Sequence, residues 1–217
     1  MVVIGICGLI GSGKGECARK LVEEDGFTRI SFGERLKDVV AVLLGWPRHL
    51  LEGDTEESRV WRETESDYII AGRALTPREV LQTVGTRALR EGFDPNIWTE
   101  IVRRRVRDSP GTNFVIDDVR FPNEIETILS MEGGGVLWHV RRPEMPGWWP
   151  RALEAAASGA GATVADDDGK PVHVSEWAWA RPDDAFHAVI VNDADVAALR
   201  RKVAAPLASA LATHPPP

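Results

Sequence analysis

The feature that most restricts this chain lies at its beginning. Residues 2–7, VVIGIC, form a short unbroken apolar run that opens into GLIGSGKG, and a helical pattern takes over from residue 14 to about residue 23. The order is a buried strand, a glycine-rich loop and a helix. Glycines at 8, 11 and 13 let the backbone take φ above zero and turn its amides inward, while the helix beginning near Lys14 adds its positive end. A nest of this kind holds an anion with several oxygens. The segment from Gly8 to Lys14 fits G-x-x-x-x-G-K-[ST] up to its last position, so Gly8, Gly11, Ser12, Gly13, Lys14, Gly15 and Glu16 are the candidate phosphate-binding residues, with Lys14 reaching the terminal phosphates. A glycine turn that merely links strand to helix is the plainer alternative, and the lysine together with the flanking elements argues against it. Gly15 stands where the motif has the serine or threonine that holds magnesium. Glu16 after it is read as a first-turn carboxylate at the helix start, or as a group that orients a metal-bound water.

The rest of the chain repeats this alternation. Further strands are expected at residues 27–31, 113–116, 136–140 and 188–191, with helices at 33–44, 77–91, 95–107, 123–131 and 193–203. Thr76-Pro77-Arg78-Glu79 is a capping box with proline at the first helical position, the strongest helix start in the chain. Five short strands alternating with helices predict a parallel sheet covered on both faces. The 217 residues, 43% of them apolar, suffice for one such α/β domain with insertions. Residues 48–73 read as an acidic, exposed excursion, residues 141–182 as a mobile cover outside the core, and residues 204–217 as a flexible tail. A net charge of −7 repels polyanions and disfavours broad nucleic-acid or anionic-membrane binding. The N-terminal apolar run is too short to span a bilayer and lacks a basic leader, which points to the cytoplasm. Cys7 and Cys17 have no partners at metal-ligand spacing and read as buried thiols.

Two further groups carry chemistry. In NFVIDDVRFPNE, Asp117 and Asp118 end a strand expected to lie at the same sheet edge as the loop. A carboxylate there holds magnesium, directly or through water, and Arg120 can grip a phosphate bidentately; the alternative is that the aspartates cap the next helix. On the helix from Pro77, Arg78, Gln82, Thr86 and Arg90 recur every four residues and form a polar stripe. Such a stripe suits a phosphate and a base edge, glutamine matching the donor and acceptor pair of adenine, while a solvated face is the alternative. Arg103, Arg104, Arg105 and Arg107 read as solvated surface, His139 as a core histidine, Trp148 and Trp149 as aromatics packed on the cover, and His173 and Glu176 as local hydrogen-bonding groups.

The whole series resembles the deoxynucleoside monophosphate kinases of bacteriophages. The likeness runs through GLIGSGKG, SFGERLK at residues 31–37, TPREVLQTVGTRALR at 76–90, residues 95–98, DDVRFPNE at 117–124, HVSE at 173–176 and VND at 191–193. It implies a P-loop NTPase-type three-layer fold with a five-stranded parallel sheet in a single kinase domain over 1–203. Within it the core would be 1–47, 110–140 and 186–203, the acceptor-binding region 48–109 and a lid-like insertion 141–182. It implies transfer of the γ-phosphate of ATP, with Mg2+, to a deoxynucleoside monophosphate. The Lys14-Gly15 step is similar to the adenylate-kinase form of the loop, in which the metal relies on water and substrate oxygens. By the resemblance Lys14, Asp117, Arg120 and Arg142 are catalytic, and Asn192 joins the ATP site. Arg35, Lys37, Arg78, Gln82, Arg90, Trp98 and Asp118 bind the acceptor, and Arg141, Arg142 and Arg151 are lid-side candidates. Asp117 is the metal candidate. The expected location is the cytoplasm, that of the host if phage-encoded, with no nucleic-acid or membrane partner and a homodimer left open. Rival readings are a P-loop kinase of another small metabolite, and a non-kinase nucleotide-binding or ATPase module.

Overall fold

The computed structural model describes residues 1–159 and 161–213. In chain order the elements are β1 (Val3–Cys7), α1 (Lys14–Asp25), β2 (Thr28–Ile30), α2 (Glu34–Leu44), α3 (Glu56–Glu63), β3 (Ile69–Ile70), β4 (Arg73–Ala74), α4 (Pro77–Gln82) and α5 (Ile97–Arg107). There follow β5 (Phe114–Ile116), α6 (Pro122–Leu129), β6 (Gly135–Arg141), α7 (Trp149–Ser158), β7 (Val164–Ala165), β8 (Pro171–Val172), β9 (Ala188–Val191), α8 (Val196–Lys202) and α9 (Ala204–Thr213). The chain forms two compact units: Met1–Ser31 with Val102–Pro217, and Phe32–Ile101.

The first unit is built on a five-stranded parallel sheet in the order β2-β5-β1-β6-β9. Its central strand, β1, is buried along its whole length, as an unbroken apolar run requires. Strand alternation divides its side chains. Ile4 and Ile6 pack with Cys17, Ala18 and Leu21 of α1, Leu199 of α8 and Leu207 of α9. On the opposite face a Cβ added to Gly5 would come within 2.6 Å of Ile128 Cδ1, so α6 lies close against the backbone there. The sheet is therefore covered on both faces, the α/β layering that the alternation predicts. β1 pairs with β5 on one side and β6 on the other, with Gly5 opposite Ile116 and Cys7 opposite His139. The loops after β1, β5 and β6 consequently emerge from one carboxyl edge, the usual ligand edge of an open parallel sheet.

The second unit has a small core of its own. Val40 and Ala41 of α2 meet Leu51, Leu75, Val80 and Leu81. The capping box at Thr76 forms in both directions: Thr76 Oγ1 accepts from Glu79 N, and the Glu79 carboxylate accepts from Thr76 N. After α4 the helix continues through Thr83–Glu91 with wider, π-type turns. Gly85 is buried in that segment, where a Cβ would stand 2.5 Å from Leu36 Cδ2. Wider turns rotate less per residue than α turns, so the stripe at Arg78, Gln82, Thr86 and Arg90 does not keep the slow α-helical drift expected of it.

Three stretches depart from expectation. Residues 48–73 are not an irregular excursion: Thr55 starts α3 by a reciprocal cap with Ser58, and β3 and β4 pair as a hairpin. Residues 141–182 are not a structureless cover. The Ala-rich run forms α7, helped by Pro150 in its first turn and by alanine's low entropic cost in a helix, and Trp149, Trp177 and Trp179 are buried. Residues 204–213 are not a loose tail but α9, with Leu207 and Ala210 in the core; the remainder of the expected tail lies outside the described residues. No helix among the described residues is long and apolar enough to cross a membrane.

Candidate functional site

The loop between β1 and α1 takes the shape its glycines allow. Gly8 has φ +152°, and a Cβ there would lie 2.2 Å from the Val140 carbonyl oxygen. Gly13 has φ +107°, and its Cβ would meet Asn192 Nδ2 at 2.7 Å and Leu199 Cδ2 at 2.8 Å. Glycine is required at both positions for conformation and for space. Gly13 is the N-cap of α1, and among the described residues no side chain caps the amides there. Those first-turn amides and the positive end of α1 are what an anion would meet. Ser12 is buried, and among the described residues its Oγ has no hydrogen-bond partner. A buried hydroxyl in that position calls for an acceptor or donor that the protein does not itself supply.

Lys14 turns back over the loop, donating to the carbonyl oxygens of Gly8 at 2.6 Å and Leu9 at 2.8 Å. Burial pushes its pKa down to about 8, and the neighbouring Arg120 charge pushes the same way against the opposing pull of Glu176 and Asp117. Asn192 Nδ2 donates to the Ser12 carbonyl oxygen at 2.9 Å, so this side chain fixes the loop from behind. Arg142 does the same from the mouth, with Nε on Gly11 O at 3.2 Å and Nη1 on Asn192 O at 3.3 Å. Glu16 faces elsewhere: its carboxylate is held by Arg19 and by Arg200 Nε at 2.5 Å, the plainer of the two readings of its role.

The acidic strand end reaches the same place. Asp117 is buried and accepts from Arg29 Nε at 2.9 Å and Arg29 Nη2 at 3.0 Å. A Cβ built on Gly15 would have Asp117 Oδ2 3.7 Å away. The carboxylate thus stands across the space that a serine or threonine side chain at position 15 would enter. Asp118 Oδ2 accepts from Ser31 Oγ at 2.6 Å. Glu124 serves the start of α6, its carboxylate accepting from Arg120 N at 2.7 Å and Phe121 N at 3.0 Å. Arg120 donates to Glu176 Oε1 at 2.7 Å and to Ser175 O at 3.2 Å. Burial opposes the Arg120 charge, and the charge and hydrogen bond of Glu176 together with the charges of Asp118 and Glu124 raise the guanidinium pKa.

Sequence reasoning missed Arg29 and Glu176 as the partners of these groups. The signal for Glu176 was the HVSE stretch, whereas nothing in the short strand TRI marked Arg29. His173 Nδ1 hydrogen-bonds Ser175 Oγ at 2.8 Å and caps its own turn, as a local role predicts. Among the described residues no group of three or more His, Cys, Asp and Glu side chains gathers as a metal cage. His139 is a core histidine, with Nδ1 2.9 Å from Asp183 Oδ1 and its ring among Trp149, Trp179 and Phe186. Burial lowers its pKa, against the hydrogen bond accepted by the Asp183 carboxylate. Cys7 and Cys17 are both buried, and burial raises each thiol to about 12, which leaves them neutral and unreactive.

The acceptor-side candidates lie in the second unit, mostly in ion pairs. Arg35 pairs with Asp38 at 3.0 Å, Lys37 with Glu52 at 2.5 Å, and Arg78 with Glu63. Arg90 Nη1 donates to Pro95 O at 3.4 Å. Trp98 is buried, and its Nε1 donates to Gly85 O at 3.1 Å, bracing the wide turns rather than presenting a ring to solvent. Gln82 is half-buried at the end of α4.

A comparison with protein-family models finds none that matches. A protein of Acanthamoeba polyphaga mimivirus named a deoxynucleotide monophosphate kinase is 36% identical over 154 residues, covering 66% of this chain and 75% of that protein. The deoxynucleoside-5'-monophosphate kinase of Escherichia phage T5 is 24% identical over 178 residues, covering 58% and 71%. Among solved structures, a gluconokinase from Sinorhizobium meliloti 1021 is 15% identical with a TM-score of 0.43, covering 95% of this chain and 91% of that one. A dephospho-CoA kinase from Campylobacter jejuni is 14% identical with a TM-score of 0.44, covering 95% and 96%. Both overlays are loose.

Proposed function

Because the chain belongs to the deoxynucleoside monophosphate kinase family, we propose that its N-terminal loop seats the phosphates of ATP and that dAMP is the preferred acceptor. The protein is a kinase that moves a phosphoryl group onto a deoxynucleoside monophosphate. The observation that carries the site assignment is the meeting of Lys14, the uncapped amides of α1 and Asp117 at one sheet edge. Transfer of a phosphoryl group asks little covalent chemistry of a protein and much positioning and charge neutralisation. Lys14 and Arg120 supply the positive charge beside the loop. Asn192 and Arg142 act on the loop's carbonyls and hold its amides in place, which is a different role from contact with ATP.

The acceptor reading rests on the stripe of the second unit. Arg78 and Arg90 would bind phosphate, with Arg35 and Lys37 exchanging Asp38 and Glu52 for it, and Gln82 would read the adenine edge. Trp98 contributes by keeping Gly85 and its wide turns in place. The test is transfer from labelled ATP to each of the four deoxynucleoside monophosphates under identical conditions. The expected result is deoxynucleoside diphosphate from dAMP at the highest kcat/KM, with Gln82→Leu reducing that advantage; an advantage for another base that survives Gln82→Leu contradicts the reading of Gln82.

Magnesium fits the residues present. Gly15 offers no hydroxyl, but Asp117 stands opposite that space, and Mg2+ is commonly bound by one or two carboxylates, substrate phosphates and waters. Arg29 uses two of the roughly four lone-pair sites of the Asp117 carboxylate, leaving capacity for a metal-bound water. When bound with ATP, the ion would supply neutralisation of charge on the outer phosphates. Asp117 would hold it, and Arg29 keeps that carboxylate oriented. We further propose that the protein works in the cytoplasm, that of the host if phage-encoded, without a nucleic-acid partner.

Lys14 gives ATP binding a definite pH signature. With a pKa of about 8, it is largely neutral in the free protein near pH 9, and a bound triphosphate restores its charge. Calorimetry in buffers of different ionisation enthalpy should therefore show uptake of up to about one proton near pH 9 and almost none near pH 6.5. The Lys14→Ala variant should show no such uptake, and wild-type heats independent of buffer near pH 9 would contradict the assignment. The linkage has a matching sign for folding. The unfolded chain binds the extra proton between about 8 and 10.5, so the Lys14 contribution to stability rises with pH across that window.

A further inference from the structure

The arginines that the sequence marks in the insertion are all engaged. Arg141 pairs with Asp183 at 3.2 Å, Arg151 with Asp167 at 3.1 Å, and Arg142 bonds the carbonyls of Gly11 and Asn192. Arg181, which no motif marked, is different. It is half-buried, its Nε is fully buried, and among the described residues it has neither a hydrogen-bond acceptor nor a carboxylate partner. Its Cζ lies 5.9 Å from the centroid of the Phe186 ring. A guanidinium Nε–H withdrawn from water without an acceptor is costly and calls for a partner that the protein does not itself supply.

Its position says which ligand. The Phe186 ring centroid lies 4.9 Å from that of His139, and Trp179, two residues before Arg181, lies 5.3 Å from the same ring. His139 is in register with Cys7, the last residue of β1 and the one that launches the phosphate loop. Arg181 is thus carried on a packed aromatic cluster to the end of β1. The thiol of Cys7 feels the Arg181 charge more strongly than that of Lys14, which supports the same placement. Lys14 Nζ occupies that end of the loop too, over Gly8 O and Leu9 O, and a loop lysine of this type reaches the terminal phosphates. We infer that Arg181 contacts the γ-phosphate of ATP and is a further catalytic residue of the kinase. This rests on the loop being the ATP site. As the bond from the γ-phosphorus to the bridging oxygen breaks, a new one forms to an acceptor phosphate oxygen, and ADP leaves with the electron pair. A fork of N–H donors suits the three equatorial oxygens through that passage.

The test compares AMP-PNP with ADP, because only the former carries a γ-phosphate group. In calorimetry with Mg2+, Arg181→Ala should weaken AMP-PNP by about tenfold or more while ADP stays within about threefold. The kcat of transfer should fall roughly a hundredfold or more. Arg181→Lys should restore part of the AMP-PNP affinity and little of the rate, since lysine lacks the fork. Unchanged melting of the variants excludes a folding effect, and should Arg181→Ala melt early, Arg181→Lys carries the comparison. Equal weakening of both nucleotides, or unchanged AMP-PNP binding and kcat, overturns the assignment. A wild-type protein that prefers AMP-PNP through Arg181 yet phosphorylates no deoxynucleoside monophosphate upholds Arg181 and overturns the acceptor reading alone.

Discussion

Replacing Lys14 with alanine is expected to slow phosphoryl transfer by about three powers of ten without lowering the melting temperature. A charge in close contact with phosphate at a partly desolvated site is worth about 4 kcal/mol, against about 1 kcal/mol in bulk water. At about 1.4 kcal/mol per power of ten, that contact accounts for the loss. Stability should hold because burial already disfavours the Lys14 charge in the folded protein, as its depressed pKa of about 8 records. The two hydrogen bonds lost are to Gly8 O and Leu9 O, the only ones that the Lys14 ammonium makes among the described residues. A coupled assay of ADP release with dAMP, beside a thermal melt, checks both halves. Turnover within about tenfold of wild type would remove Lys14 from the chemistry, since one power of ten is far short of a lost phosphate contact.

Gly8→Ala should damage the protein more broadly. An L-residue at φ +152° is strained by about 1–3 kcal/mol, and overpacking against the Val140 carbonyl adds about 1–3 kcal/mol. A total of about 2–6 kcal/mol corresponds to a melting point lower by roughly 5–20 °C for a chain of this length. ATP binding should be lost with it, because the loop must move away from β6 to admit the methyl group. Gly15→Ala is the internal comparison: its added Cβ has only Asp117 Oδ2 within 4 Å, at 3.7 Å, and its φ is not positive. It should fold as wild type does, and its effect should fall on magnesium dependence alone. Similar melting of the two variants would mean that the loop is not wedged against Val140.

The sheet was readable because most of its strands are short apolar runs bounded by a loop or helix signal. VIGIC and FVI are buried on both faces, AVIV is a partly buried edge strand, and each leaves an unbroken apolar pattern in sequence. α3 was missed because its cap uses Ser58 where a glutamate would have announced a capping box, and because its stretch is mostly charged. α7 and α9 were missed for the opposite reason: alanine runs bury a face without showing an apolar period. The phosphate loop was legible down to single residues, since glycine and lysine spacing carries its own geometry. Its supports were not. Arg29 reaches Asp117 across 88 positions, and Arg120 reaches Glu176 across 56, separations that no local pattern encodes. The wide turns of Thr83–Glu91 were equally hidden, since the close packing of Gly85 on Leu36 is a contact between distant residues.

Phosphorus NMR of ATP and dAMP mixed with the protein and magnesium tests the central claim most directly. The account predicts that the ATP signals decay into those of ADP and dADP in equal amounts, with no inorganic phosphate and with the reaction abolished in Lys14→Ala. Release of inorganic phosphate without dADP, or equal conversion by the Lys14→Ala protein, would contradict it.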